Sequence, residues 1–173
     1  VYLNHGPEGS QEPWDPVTHR EIIPSNIFLK KPRSAIDDFT VPLMIKLGDF
    51  GCAVSASEVR ARELTVAALP VIERDYDPPE NSQPAESTDI YQIGFSVLQM
   101  YCKQNGPVYG LPEMELEHWR DAPGSTIYSS ELGLLLRSCV AERPEDRPRP
   151  RALLEWIRTA RRTLGMTHVT LPF

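Results

Sequence analysis

The residues able to do chemistry in this chain are few, and they gather in short runs rather than in metal or disulfide spacings. Cys52, Cys102 and Cys139 have no metal-ligand spacing, and an odd number gives no disulfide framework, so they read as reduced, intracellular thiols. His5 and His118 stand alone and read as surface residues. What remains is the run His19-Arg20-Glu21-Ile22-Ile23-Pro24-Ser25-Asn26, the triplet Asp49-Phe50-Gly51, and two proline-bearing acidic turns, Pro78-Pro79-Glu80 and Pro144-Glu145-Asp146-Arg147-Pro148. Asp49 and Asn26 offer oxygen donors, the type a hard divalent cation takes. Read locally, the same side chains cap a turn and bond backbone, and Gly51 lets the chain turn freely. Residue type alone leaves both readings open.

The elements that must hold these runs follow from composition and period. The chain has 173 residues, enough for one domain with a sizeable core. A net charge of −6 and a pI near 5.2 exclude a broad basic face for nucleic acid. No apolar run approaches the roughly 18 residues of a membrane span. Its 17 prolines fall almost entirely before Pro84 or in short later clusters, which leaves three proline-free stretches with helical period. The first runs from Thr88 to Cys102, with Ile90, Ile93, Val97, Leu98 and Tyr101 at three- and four-residue steps and Thr88 or Asp89 as its cap. The second runs from Ser129 to Ala141, with Leu132, Leu135, Leu136 and Val140 on one side. The third follows Pro150, turns Leu153, Leu154, Ile157, Ala160 and Leu164 inward, and turns Arg158, Arg161 and Arg162 outward as a solvated face.

Before these helices the pattern changes. Ile27–Leu29 and Met44–Leu47 are short apolar runs that pair as strands, and Lys30 to Pro42 between them reads as a surface loop. Ser55 to Asp77 has no convincing period and reads as a long mobile segment, despite its apolar patch Leu64–Ile72. Trp14, Trp119 and Trp156 read as packing residues. No internal repeat is visible. The lack of an initiator Met and of a secretory signal pattern fits an N-terminally cut fragment.

Taken in order, the punctuation resembles one family, the eukaryotic protein kinases. Residues 19–26 are similar to its catalytic loop, His-Arg-Asp-x-Lys-Pro-x-Asn, and Asp49-Phe50-Gly51 is its metal-binding triplet. Pro78-Pro79-Glu80 resembles the Ala-Pro-Glu that closes the activation segment, and Asp89-Ile90-Tyr91-Gln92-Ile93-Gly94 the start of the helix after it. Residues 144–148 resemble the turn that supplies an arginine partner for the closing glutamate. Five motifs in the family's order over Thr18 to Pro148 are far more specific than any one of them. The resemblance covers the family's C-terminal lobe only. The glycine-rich loop, the Val-Ala-Ile-Lys lysine and its glutamate partner do not occur in these 173 residues, so the N-terminal lobe is expected to be absent.

The resemblance implies a role for each matching residue. Asn26 and Asp49 would ligate Mg²⁺, Phe28 would lie under adenine, and Glu21 would stand where the family has its catalytic aspartate. His19 and Phe50 would stack, Asp89 would accept the N–H groups of the His19–Arg20 turn, and Glu80 would pair with Arg147. Arg20 would face a phosphate on the activation segment, with Ser55, Ser57 or Thr65 as its acceptor. Pro24-Ser25 resembles the serine/threonine rather than the tyrosine form.

Three departures fall in one small network. Glu21 is one methylene longer than aspartate, and a misplacement of about 1 Å can cost on the order of 10²-fold. Ile23 replaces the lysine that offers charge to the transferring phosphate, a loss of roughly 2.7–4 kcal/mol of barrier for one such donor. Glu73, counted back from Tyr76, falls where the family has a bridging threonine, and as a carboxylate it repels Glu21.

The expectation is therefore a mainly α fold, a kinase-like C-lobe with a short β-ribbon carrying the catalytic and metal loops. Residues 1–173 would form a partial kinase domain, with the catalytic loop and strand at 18–29, the activation segment at 49–80 and a helical subdomain at 88–164. The implied function is that of a serine/threonine protein kinase lobe with impaired or absent catalysis. The alternatives are an active kinase represented by a truncated chain, a non-catalytic interaction module, and an unrelated helical binding domain. The resemblance implies ATP and Mg²⁺ as cofactors, held poorly by these residues alone. It implies a protein substrate or partner, a possible separate N-lobe, no nucleic acid or membrane, and an intracellular location. The apolar face around Phe28 and Phe50 would be exposed, which predicts modest solubility or a partner.

Overall fold

In a computed structural model, residues 2–7, 11–30, 44–62, 74–80, 83–101 and 130–163 are described. A single helical turn, α1 (Tyr2–His5), opens the chain. Gly6 follows it at φ 72°, where a Cβ would stand 2.7 Å from the Trp14 ring. Trp14 meets Tyr2 edge-on and donates its indole N–H to Leu3 O at 2.9 Å, yet remains partly exposed. His5 is exposed.

Two small antiparallel ribbons follow. Strand β1 (Val17–Thr18) pairs with β4 (Val54–Ser55), while β2 (Ile27–Lys30) pairs with β3 (Met44–Leu47) in the register Phe28↔Lys46, Leu29↔Ile45. The second ribbon matches the two apolar runs of the sequence. The first is a finding of the structure, since two-residue strands carry no readable period.

The expectation of an irregular stretch from Ser55 to Asp77 is corrected in two places. Residues Ala56–Arg62 form helix α2, and Arg74–Tyr76 form a 3₁₀ turn. The reason for α2 is a capping box: Glu58 N–H donates to Ser55 Oγ at 3.3 Å, and Ser55 N–H donates to Glu58 Oε2 at 3.1 Å. Asp15 adds to it, accepting the Ser57 N–H at 3.0 Å and the Ser57 hydroxyl at 2.5 Å. These hydrogen bonds hold the Asp15 carboxyl below its ordinary pKa. Thr65, Glu73 and the apolar patch 64–72 lie outside the described residues, as do residues 31–42, Cys102, His118, Trp119 and Leu164.

The centre of the molecule is α3 (Glu86–Tyr101), which begins two residues before the expected start. Thr88 does not cap it from outside; its hydroxyl accepts the Ala85 N–H at 3.2 Å within the first turn. One side of α3 packs on α4 (Ser130–Cys139). Tyr91, Phe95 and Leu98 meet Leu136 there, with Leu132 and Val140 packed alongside. Gly94 permits the close approach, since a Cβ on it would fall 2.5 Å from the Cys139 Cβ. Helix α5 (Pro150–Thr163) docks through Leu153, which packs with Ile90 and Cys139. That contact ends there: Ile157, expected inward, is 37% exposed, and Trp156 is partly exposed beside it. Among the described residues, no helix is long and apolar enough to cross a membrane.

Candidate functional site

The loop between β1 and β2 has five of its backbone hydrogen bonds made by side chains of α3. Asp89 accepts the N–H groups of His19 and Arg20, each at 2.9 Å. Gln92 accepts the Ile22 N–H at 2.9 Å and donates to Arg20 O at 2.7 Å, and the Ser96 hydroxyl donates to Ile22 O at 2.7 Å. The Asn26 amide closes the loop by donating to Glu21 O at 3.0 Å. Arg20 sits at φ 69°, a left-handed conformation costing roughly 1–2 kcal/mol for a residue with a Cβ. The Asp89 contacts on either side of that strained peptide offset the cost.

Gln92 and Ser96 were not among the residues singled out by sequence. Their signal was present: Asp89, Gln92, Ser96 and Gln99 recur at helical steps, polar and fully buried within an apolar helix. Gln99 extends the stripe, accepting the Tyr76 hydroxyl proton at 2.5 Å. Burial pushes the Asp89 carboxyl up to about 6, against the lowering effect of its two N–H donors and of Arg20.

His19 is fully enclosed. Its Nδ1 accepts the Glu21 N–H at 3.3 Å and its Nε2 lies 3.1 Å from Gly48 O, which together fix the neutral Nε2–H tautomer. Burial lowers its pKa in the same sense. The ring meets Phe50 edge-on, with centroids 4.6 Å apart. Phe50 is otherwise exposed, as is Phe28 at 56%. Phe28 lies across Gly48, where a Cβ would stand 2.6 Å from its ring. The two phenyl groups thus form an open apolar surface next to the loop.

Glu21 and Ile23, unlike Phe28 and Phe50, are buried. Glu21 is 3% exposed, and its buried Oε2 has no hydrogen-bond partner. The Cys52 thiol beside it is pushed up in pKa, chiefly by desolvation and next by the Glu21 carboxylate. Ile23 packs in the core with Tyr76, Tyr91, Phe95, Leu98 and Leu136. Arg20 donates from Nη1 to Cys52 O at 3.0 Å, while its buried Nε has no partner. Burial lowers its pKa despite the acidic groups around it. Ser55 and Ser57 turn instead to Glu58, Asp15 and each other.

Asp49 is exposed at φ 57°, and its Oδ1 accepts the Gly51 N–H at 3.1 Å. The Asn26 carbonyl receives the Gly48 N–H at 3.0 Å, which ties the start of β2 to the end of β3 and brings the two motifs to one end of the ribbon. Among the described residues there is no cluster of three or more His, Cys, Asp or Glu that could hold a metal by itself. The donor set fits only a hard cation that draws most of its ligands from phosphates and water.

Away from the loop, Arg147 has a side chain 0% exposed and forms a two-pronged pair with Glu80, at 2.7 and 2.6 Å. It also donates to the carbonyls of Ala141, Ser87 and Glu142, and lies 4.9 Å from the Tyr91 ring centroid.

A two-stranded ribbon ending in these loops, clamped by a buried helix and tied to a helical half through Glu80 and Arg147, is a protein-kinase-like C-terminal lobe. The sequence is similar to those of serine/threonine protein kinases. It is 28% identical over 165 residues to serine/threonine-protein kinase Nek9 of Mus musculus, across 86% of this chain and 15% of that protein. It is 29% identical over 146 residues to serine/threonine-protein kinase A of Synechocystis sp., across 77% of this chain and 26% of that protein. The chain therefore spans a minor part of the length of the curated relatives it matches. In structure it resembles ROP2 from Toxoplasma gondii, a virulence factor with a protein-kinase fold and no enzymatic activity. The TM-score is 0.58 at 15% identity, covering 87% of this chain and 39% of that one. No protein-family profile matches the chain.

Proposed function

We propose that these residues form a kinase-like lobe that transfers no phosphate by itself and acts through its surfaces on a protein partner. The observation that carries this reading is the state of the two positions closest to the chemistry. A base must reach the proton it accepts, but the Glu21 carboxylate is buried, and the position of the family's lysine holds Ile23 in the core. Positioning and electrostatics supply nearly all of phosphoryl-transfer catalysis, and both are displaced here.

Asn26 and Asp49 would hold Mg²⁺, with Phe28 beneath the adenine of ATP. A bound Mg²⁺ would supply positive charge to offset that of the phosphates. This chain's own contribution would be one amide oxygen, one carboxylate and an aromatic face. A second reading, serine/threonine phosphorylation by a longer chain, is favoured by the side chains of Asn26 and Asp49 and by the naming of the relatives as serine/threonine-protein kinases.

The test is a thermal-shift titration with Mg²⁺ and ATP on the chain and on Asp49→Ala, alongside an assay for transfer to a protein substrate. A ligand that binds the folded state raises its melting temperature. The expected result is a weak or absent shift and no transfer. Transfer abolished by Asp49→Ala would overturn the proposal and establish the second reading.

A further inference from the structure

Helix α5 presents exposed arginines, Arg151, Arg158 and Arg162. The helix carries Arg151, Arg158, Arg161 and Arg162 against Glu155 alone, within a chain whose net charge is −6. At 100° per residue the three exposed arginines fall within an arc of about 40° and run along about 16 Å of the axis. Only part of this charge is spent inside the helix: Arg158 donates to Glu155 at 2.7 Å, and Arg162 donates to Thr159 at 3.1 Å. The Arg158 side chain remains 45% exposed even so.

We infer that this arginine stripe is a docking surface for an acidic helical segment of a partner protein, one with carboxylates facing it along two to three turns. Charge complementarity selects the occupant. A guanidinium is a planar fork that binds a carboxylate through two parallel hydrogen bonds, and a localised stripe on an acidic protein directs an acidic partner to one place on its surface. A membrane surface fits less well. A helix lying in lipid must present its apolar side, whereas the first turn of α5 spends that side on the protein through Leu153 and Pro150.

This inference rests on reading the lobe as an interaction module, but its test is separate from the nucleotide experiment, because α5 contributes nothing to the Asn26–Asp49 end. The probe is a dye-labelled peptide of about eleven residues with glutamates on one helical face, which matches the stripe in length. Its binding to the full chain is followed by fluorescence anisotropy. Saturable binding is expected at about 0.05 M salt and its loss at about 0.5 M. Arg151→Glu and Arg158→Glu should each weaken binding roughly fivefold or more, and Arg60→Glu, an exposed arginine of α2, should change it less than about twofold. Unchanged circular dichroism establishes that the variants fold. Equal weakening by Arg60→Glu, or no saturable binding at low salt, would overturn the proposal. Anionic phospholipid vesicles that bind with the same dependence on Arg151 and Arg158 while the peptide does not would also overturn it.

Discussion

Removing the Glu80 carboxylate should unfasten the segment that precedes α3 from the helical half at a cost that can be worked from the contacts of Arg147. In Glu80→Ala the guanidinium loses both close oxygens, at 2.7 and 2.6 Å. It keeps the carbonyls of Ala141, Ser87 and Glu142, at 2.8, 3.2 and 3.1 Å, and the Tyr91 ring. Breaking a buried pair from one side typically costs about 3–5 kcal/mol. The surviving carbonyls place this case near the lower end, about 3 kcal/mol, or about 6–12 °C of melting temperature for a chain of this size. Arg147→Ala should cost more, about 5 kcal/mol, because it strands a carboxylate and three carbonyls together. The double variant should fall short of the sum by about 2 kcal/mol, the signature of direct coupling. Equilibrium urea unfolding of the four proteins reads all of these values. A loss below about 1 kcal/mol for Glu80→Ala would mean that the pair behaves as a solvated surface bridge, and the argument from burial would fail.

Two further perturbations test the centre of the fold. Gly94→Ala places a methyl 2.5 Å from the Cys139 Cβ and 3.1 Å from Val140 Cγ1. It should cost about 1–3 kcal/mol through overpacking, and Cys139→Gly should recover part of that in urea titrations. The second concerns pH. Because Asp89 is raised from 3.8 to about 6 in the folded state, the native chain holds a proton that the unfolded chain releases, so this contribution is fully present below about pH 4 and is lost as pH rises through about 6, an amount of order 3 kcal/mol. His19, lowered chiefly by burial, acts in the opposite sense: its contribution is present above its ordinary 6.5 and is lost as pH falls through its folded value. The difference in unfolding free energy between the native chain and Asp89→Asn, measured from pH 4.5 to 7.5, isolates the first effect. A difference that does not vary with pH would refute it.

What could be read from sequence depended on the length over which a pattern repeats. The three long helices announced themselves because Ile90, Leu98, Leu136 and Leu153 sit on faces several turns long. The second ribbon did so because its strands are apolar runs of four residues. The first ribbon has two-residue strands, too short for any period, and α2 is only seven residues long. Even so, α2 carried the Ser55-x-x-Glu58 capping signal and Asp15 upstream of it. Ile157 fell on the correct side of its helix and still emerged exposed, because periodicity gives a direction and not what lies in that direction. The same limit applied to the site. Motif order located the loop, while the inward burial of Glu21 and the packing of Ile23 required three-dimensional contacts.

The geometry also separates what shapes the loop from what its side chains at positions 21 and 23 do. The peptide groups of His19, Arg20 and Ile22 are held by Asp89, Gln92 and Ser96, all on α3, and none of those bonds involves the side chain of Glu21 or Ile23. Backbone shape and side-chain chemistry are therefore supported by different residues. Ile23, where the kinase motif carries lysine, adds apolar volume to the core beside Tyr91 and Phe95. Apolar burial at this position favours folding by the hydrophobic effect. Restoring Lys at position 23 would have to extract a side chain from that core, so Ile23→Lys alone should lower stability before it could raise activity. Asp89→Ala, by contrast, should loosen the loop while leaving Glu21 and Ile23 chemically as they are.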